Sequence, residues 1–118
     1  MRMQGLRDRT KQFALRIIRL RSALPNTDVG RVIGNQVLRS GTSVAANFRE
    51  ASRARSDAEF IAKLGIVEQE LDETALWLEL LVESETVSEE KLKSLQGESD
   101  ELIRIVVASI KTAKQKKS

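Results

Sequence analysis

The sequence has no histidine, no cysteine, no tyrosine and only one proline. Without imidazole or thiol there is no Ser-His-Asp triad, no Cys-His pair and no histidine or thiolate metal site. A disulfide framework is impossible, so apolar packing alone must hold the core, as suits a reducing compartment. Aromatic residues are scarce: Phe13, Phe48, Phe60 and Trp77 are all there are. That argues against a small β-barrel and against an aromatic platform for stacking single strands. Long apolar runs are also missing. LWLELLV at 76–82 is interrupted by a glutamate, and nothing approaches the roughly 20 apolar residues of a membrane span. The opening MRMQGLRDRTKQF carries charge but no apolar signal core. The expectation is a soluble, cytoplasmic, non-enzymatic protein without cofactor, metal or membrane contact. Its 118 residues should form one domain over 1–118, long enough to bury a core without staples.

Charge, by contrast, is abundant and segregated. The formal net charge is only +3, yet residues 1–55 hold 12 basic and 3 acidic side chains. Residues 56–101 hold 14 acidic and 3 basic ones, and residues 102–118 hold Arg104, Lys111, Lys114, Lys116 and Lys117 with no acid. Such asymmetry points either to a polyanionic partner or to basic and acidic helices that neutralise one another. All but one of the bases in the first block are arginine, whose fork fits phosphate and carboxylate alike.

Breakers at Pro25-Asn26-Thr27, Arg53–Ser56 and Glu83–Val87 divide the chain into four helical segments, at roughly 4–23, 28–52, 57–83 and 88–114. Leu6, Thr10, Phe13, Ile17, Leu20 and Leu24 form the apolar stripe of the first segment. Val29, Ile33, Val37, Ser40, Val44, Phe48 and Ala51 form that of the second. Beside it run Gly30, Gly34, Gly41 and Ala45, which mark close approach of another helix, a kink near Gly41, or glycines merely tolerated. The third segment opens with the capping box Ser56-Asp57-Ala58-Glu59. Phe60, Leu64, Val67, Leu71, Thr74, Leu78 and Leu81 follow in a bundle-seam pattern. Ser88 caps the fourth, whose stripe is Leu92, Leu95, Ser99, Leu102, Val106, Ile110 and Ala113. Four such helices with short connections predict an all-α, antiparallel up-down-up-down four-helix bundle.

Individual side chains add little chemistry. Asn47 flanks the second stripe and, with Glu50, reads as a structural polar network fixing helix register. Glu68 and Asp72 stand four apart, but no Glu-x-x-His motif accompanies them. Ser40, Thr42 and Ser43 have no base to activate them and serve as small residues for helix contact. Around Trp77 the third segment is apolar over most of its circumference, so that end lies either at the bundle centre or under another subunit. Trp77, Leu80 and Val82 are therefore candidates for an oligomer interface. The candidates for contacting nucleic acid are Arg16, Arg19, Arg21, Arg39, Arg49, Arg53 and Arg55.

The block QVLRSGTSVAANFREA at 36–51, followed by SDAEFIAKL at 56–64 and by ELDET and WLELL at 70–81, resembles the 23S ribosomal RNA intervening-sequence proteins. That family is also called the four helix bundle protein family. The resemblance implies an up-down bundle assembled as a ring-like homopentamer. It also implies a bacterial cytoplasmic protein, often encoded within insertions in 23S ribosomal RNA genes and without established enzymatic activity. A related branch looks like accessory proteins of diversity-generating retroelements, basic pentamers that bind nucleic acid and a reverse transcriptase. The expected function is thus salt-sensitive binding of structured RNA or DNA, with little sequence preference. The alternative is a protein-interaction scaffold or accessory subunit that binds no nucleic acid.

Overall fold

A computed structural model describes residues 3–117; Arg2 and the side chain of Lys117 lie outside the described set. Four helices follow one another: α1 (Met3–Ala23), α2 (Asp28–Ser52), α3 (Asp57–Glu83) and α4 (Glu89–Lys117). Each packs chiefly on its neighbour in sequence, giving an up-down-up-down bundle of 49 × 20 × 19 Å. The helix ends fall within a residue of those read from the breakers, except that α4 runs three residues further. None of the four is long and apolar enough to cross a membrane.

Local chemistry accounts for the ends. Thr27 Oγ1 accepts the Gly30 amide at 3.0 Å and caps α2. Ser56 Oγ accepts the Glu59 amide at 3.1 Å and caps α3. Glu59 reaches back as a capping box requires, but to the Arg55 amide, at 3.2 Å, one residue before the cap. At the end of α3 the amides of Glu85 and Thr86 close onto the carbonyls of Val82 and Leu81. That is a Schellman turn, and it holds Glu85 at φ 61°, a conformation that favours glycine.

The core is the set of stripes brought face to face. Phe13, Ile17, Val37, Val44, Phe48, Leu71, Leu78, Leu102 and Val106 are all buried to 1% exposure or less. Each large side chain so buried contributes about 1.5–3 kcal/mol. Val29 departs from its predicted stripe and is 44% exposed. The turn at Pro25 instead lays Gly30 against the Pro25 carbonyl, which rotates Val29 outward.

The glycine line resolves as close approach of α1, with α2 continuous through Gly41. A Cβ on Gly41 would stand 2.7 Å from Ile17 Cγ1, and one on Gly34 2.7 Å from Arg21 Cδ. Between α2 and α3 the contact is a buried polar one: the hydroxyls of Ser40 and Thr74 lie 2.8 Å apart, and Thr74 Oγ1 is 2.7 Å from the Glu70 carbonyl. The seam between α1 and α4 is the thinnest of the four. Arg9 bridges it with a fork onto Glu98, at 2.7 and 3.2 Å, and a 3.3 Å contact to Glu101.

Two classes of glycine should separate in thermal melts. Gly41→Ala should destabilise by about 1–3 kcal/mol, because the branched, fully buried Ile17 must shift. Gly65→Ala and Gly97→Ala, where a Cβ meets nothing within 4 Å, should each stabilise by about 0.5–1 kcal/mol. Glu85→Gly should stabilise by a similar amount, roughly 1 kcal/mol, through relief of the left-handed backbone.

Candidate nucleic-acid interface

Antiparallel topology decides where each charge block goes. The start of α1, the end of α2, the start of α3 and the end of α4 share one end of the bundle. A groove joins Arg7 and Lys11 to Arg49 and Arg53, and another joins Asp57 and Phe60 to Thr112 and Lys116. The basic stretch before residue 55 and the lysines after 102 therefore converge, although some fifty acid-rich residues separate them in sequence. At the opposite end Glu79, Glu83, Glu85, Glu89 and Glu90 of α3, its turn and α4 stand with Arg16, Arg19, Arg21, Arg31 and Lys91 of α1, α2 and α4, so the charges there are mixed.

The sharpest feature of the basic end is the groove between α1 and α2, about 480 Å³ in volume. Arg7 and Lys11 are one helical turn apart on α1. Ala46, Arg49 and Glu50 follow at three- and four-residue steps on one face of α2, and Arg53 is the residue that ends it. Ala45 and Ala46 contribute only methyl groups, so the depression stays open. Among the described residues no salt bridge involves Arg7, Lys11, Arg49 or Arg53. The one acid of the groove, Glu50, is engaged from α3 by Lys63 Nζ at 2.6 Å. Arg7 Nε is buried with no hydrogen-bond partner, an arrangement that costs about 1–3 kcal/mol.

The seven sequence candidates do not form one patch. Arg49, Arg53 and Arg55 are exposed at the basic end. Arg16 and Arg19 line a separate cavity of about 500 Å³ near the other end, with Leu20, Leu24, Val87 and Lys91. Arg16 donates to Ser94 at 2.9 Å and Arg21 to Asn35 at 3.2 Å, neutral partners that leave the charge uncompensated. Arg39 departs from the expectation. Antiparallel packing sets it opposite Glu70 and Glu73 of α3, at 3.3 and 2.6 Å, so an acidic helix already holds it. Arg7, Lys11, Lys111, Lys114 and Lys116 were missing from the candidates. They follow from carrying the antiparallel order through to the helix ends.

Asn47 and Glu50 do not share a network. Asn47 Nδ2 donates to the Ser43 carbonyl of its own helix at 2.9 Å, the nearest acceptor for a side chain on the flank of the stripe. The buried polar contact between helices is Ser40 with Thr74. Of the interface candidates, Trp77 and Val82 pack against the core, while Leu80 is 36% exposed beside Leu76 at 46%. Val32 of α2, 63% exposed, falls at the same level of the bundle by the Ser40–Thr74 register.

The carboxyl of Glu73 is held below the usual carboxylate range, chiefly by its hydrogen bond from Arg39; burial opposes this, and that cation's charge adds a lesser lowering. The Trp77 indole N–H adds slightly to this, although it makes no hydrogen bond of normal geometry. A depressed carboxyl stabilises the fold above its unfolded pKa of about 4.3 and loses that contribution as pH falls through the folded value. Both partners are more than a third exposed, so the pair contributes at most about 0.5 kcal/mol. Glu73→Gln should therefore flatten the loss of stability below about pH 4 while barely changing it at pH 7. Urea melts between pH 3 and pH 7 measure this.

Residues 6–108 match the family model described as 23S rRNA-intervening sequence protein. A crystal structure of a protein of unknown function from the S23 ribosomal protein family of Bacteroides thetaiotaomicron superposes with a TM-score of 0.87. It is 40% identical and covers 94% of this chain and 99% of that one. Among curated proteins none matches the chain at a significant level. With the family model spanning nearly the whole bundle, the chain belongs to the 23S rRNA-intervening sequence protein family.

Proposed function

We propose that the protein is a non-enzymatic, cytoplasmic, self-associating bundle that grips the phosphate backbone of RNA or DNA with its basic end. The observation that carries this reading is the convergence of Arg7, Lys11, Arg49, Arg53, Arg55, Lys111, Lys114 and Lys116 on one end, where few acids compensate them. Arg9 and Arg39, which do meet acidic helices, are spent on the fold. Backbone contacts by arginine and lysine carry affinity without sequence information and release counterions, so binding is salt-dependent. The family's name associates it with 23S rRNA, in keeping with an RNA partner.

Self-association has its own support. Exposed apolar side chains stand on every helix: Leu15 and Ile18 on α1, Val29 and Val32 on α2, Leu76 and Leu80 on α3 and Val107 on α4. Exposed apolar residues on different helices suit a head-to-tail interface, which forms a ring where its rotation closes. The family resemblance favours five subunits for that ring. A ring repeats the basic end around its axis and multiplies the phosphate contacts. The scaffold reading draws on the same apolar faces but leaves the uncompensated arginines without a role.

Mobility-shift titrations of a structured RNA across salt concentrations test the first reading. Log affinity should fall linearly with log salt, and Arg53→Gln with Arg55→Gln should reduce the slope by about one per residue. Lys93→Gln, on the acidic half of α4, should leave it unchanged. Binding no tighter than that of an acidic control protein at low salt sinks the reading. For the assembly, Leu80→Asp or Val32→Asp should shift sedimentation toward the 13.2 kDa monomer while helical circular dichroism is retained. A wild type that already sediments as a monomer at micromolar concentration contradicts self-association.

A further inference from the structure

We infer that the groove between α1 and α2 is a discrete phosphate site, in which the side chains of Arg7, Lys11, Arg49 and Arg53 surround one phosphate group. It lies within the proposed nucleic-acid surface and rests on that reading for its source of phosphate, the nucleic-acid backbone. It goes further in separating one built pocket from a general field of charge.

Three observations point to an anion, and to phosphate in particular. Four cations converge on a depression whose single carboxylate is drawn off by Lys63 at 2.6 Å, so the groove holds a surplus of positive charge. Arg7 Nε is buried and donates to nothing, although the rest of that residue lines an open groove. That N–H is closed to an outside acceptor, but the terminal nitrogens of the same guanidinium are not buried, and their fork matches a phosphate oxygen pair. The methyl groups of Ala45 and Ala46 leave room for a tetrahedral group and its ester substituents within about 480 Å³. A lone carboxylate would answer one guanidinium. Two guanidiniums from α2, one from α1 and an ammonium call for an anion with oxygens facing several directions.

Pyrophosphate and inorganic phosphate are the probes, titrated into the full chain at constant ionic strength and read by thermal shift and calorimetry. Binding to the folded state should raise the melting temperature saturably, beyond the shift given by sodium chloride of equal ionic strength. Arg7→Gln and Arg53→Gln should each weaken the binding about tenfold. Arg7→Lys, which keeps the charge but loses the guanidinium fork, should weaken it less than Arg7→Gln. Glu50→Gln should tighten it about twofold or more, an opposite sign that loss of packing does not produce. Lys93→Gln should have no effect. Circular dichroism checks that each variant is folded. A shift equal to that of chloride, or one indifferent to both Arg7→Gln and Arg53→Gln, overturns the site.

A labelled RNA distinguishes the sources. Pyrophosphate that displaces it at constant ionic strength assigns the groove to backbone phosphate. Saturable pyrophosphate binding without displacement supports the groove as a site for free phosphate compounds and overturns the backbone assignment. Failure of the wild type to bind any RNA, with pyrophosphate still bound, defeats the nucleic-acid reading and leaves the phosphate groove standing. RNA binding that keeps its salt slope, while pyrophosphate does not bind and Arg7→Gln behaves as Lys93→Gln, does the reverse.

Discussion

The contact on which the rest depends is the approach of α1 to the glycine face of α2. Ile17 rests on Gly41 and Arg21 on Gly34, in space that no side chain with a Cβ leaves free. A helix pair packed this closely has one register, because sliding it sets Ile17 against a neighbour with a side chain. That register carries Arg7 and Lys11 down α1 to the level of Ala45, Arg49 and Arg53 on α2. The basic groove is thus a consequence of packing far from it: move α1 by a turn and its two cations no longer face those of α2.

The other seams distribute charge by the same logic. Between α2 and α3 the Ser40–Thr74 contact sits in the core, with Arg39 meeting Glu70 and Glu73 on one side and Glu50 meeting Lys63 further along. Across the thin α1–α4 seam, Arg9 holds Glu98 and Glu101 where little apolar surface is shared. These half-exposed pairs contribute modestly to stability. Their larger consequence is selection. They consume particular arginines and leave the others unopposed, so an almost neutral chain gathers a basic groove at one end.

Much of the bundle could be read residue by residue. Ser56 and Thr27 announce helix starts because a side-chain oxygen must satisfy amides that the helix itself leaves open. The α3 stripe from Leu64 to Leu81 is buried as its spacing predicts, since one face of a helix must leave water. Val29 shows where periodicity fails: at a helix start the turn, here Pro25 against Gly30, decides which face points inward. The site was less legible. Arg39 looked like Arg49 in sequence, yet three turns along the same helix one faces two glutamates and the other an open groove. Asn47 looked like the register-fixing amide, but its own helix offered a carbonyl first.

By itself the sequence determined four helices, their caps, their buried stripes, the exclusion of histidine and cysteine chemistry, and the segregation of charge into blocks. All of these depend on residue identity or on spacings of a few positions, and such short-range forces act within one helix. Only the tertiary structure decided which arginines are neutralised and which are gathered. Arg9 and Glu98, Arg39 and Glu73, Arg7 and Arg49 lie tens of positions apart, and Coulomb attraction between exposed groups reaches no further than about a Debye length. Their distances are set by how α1 seats on its glycines and how each helix reverses onto the last, and so the basic end exists only in the folded bundle.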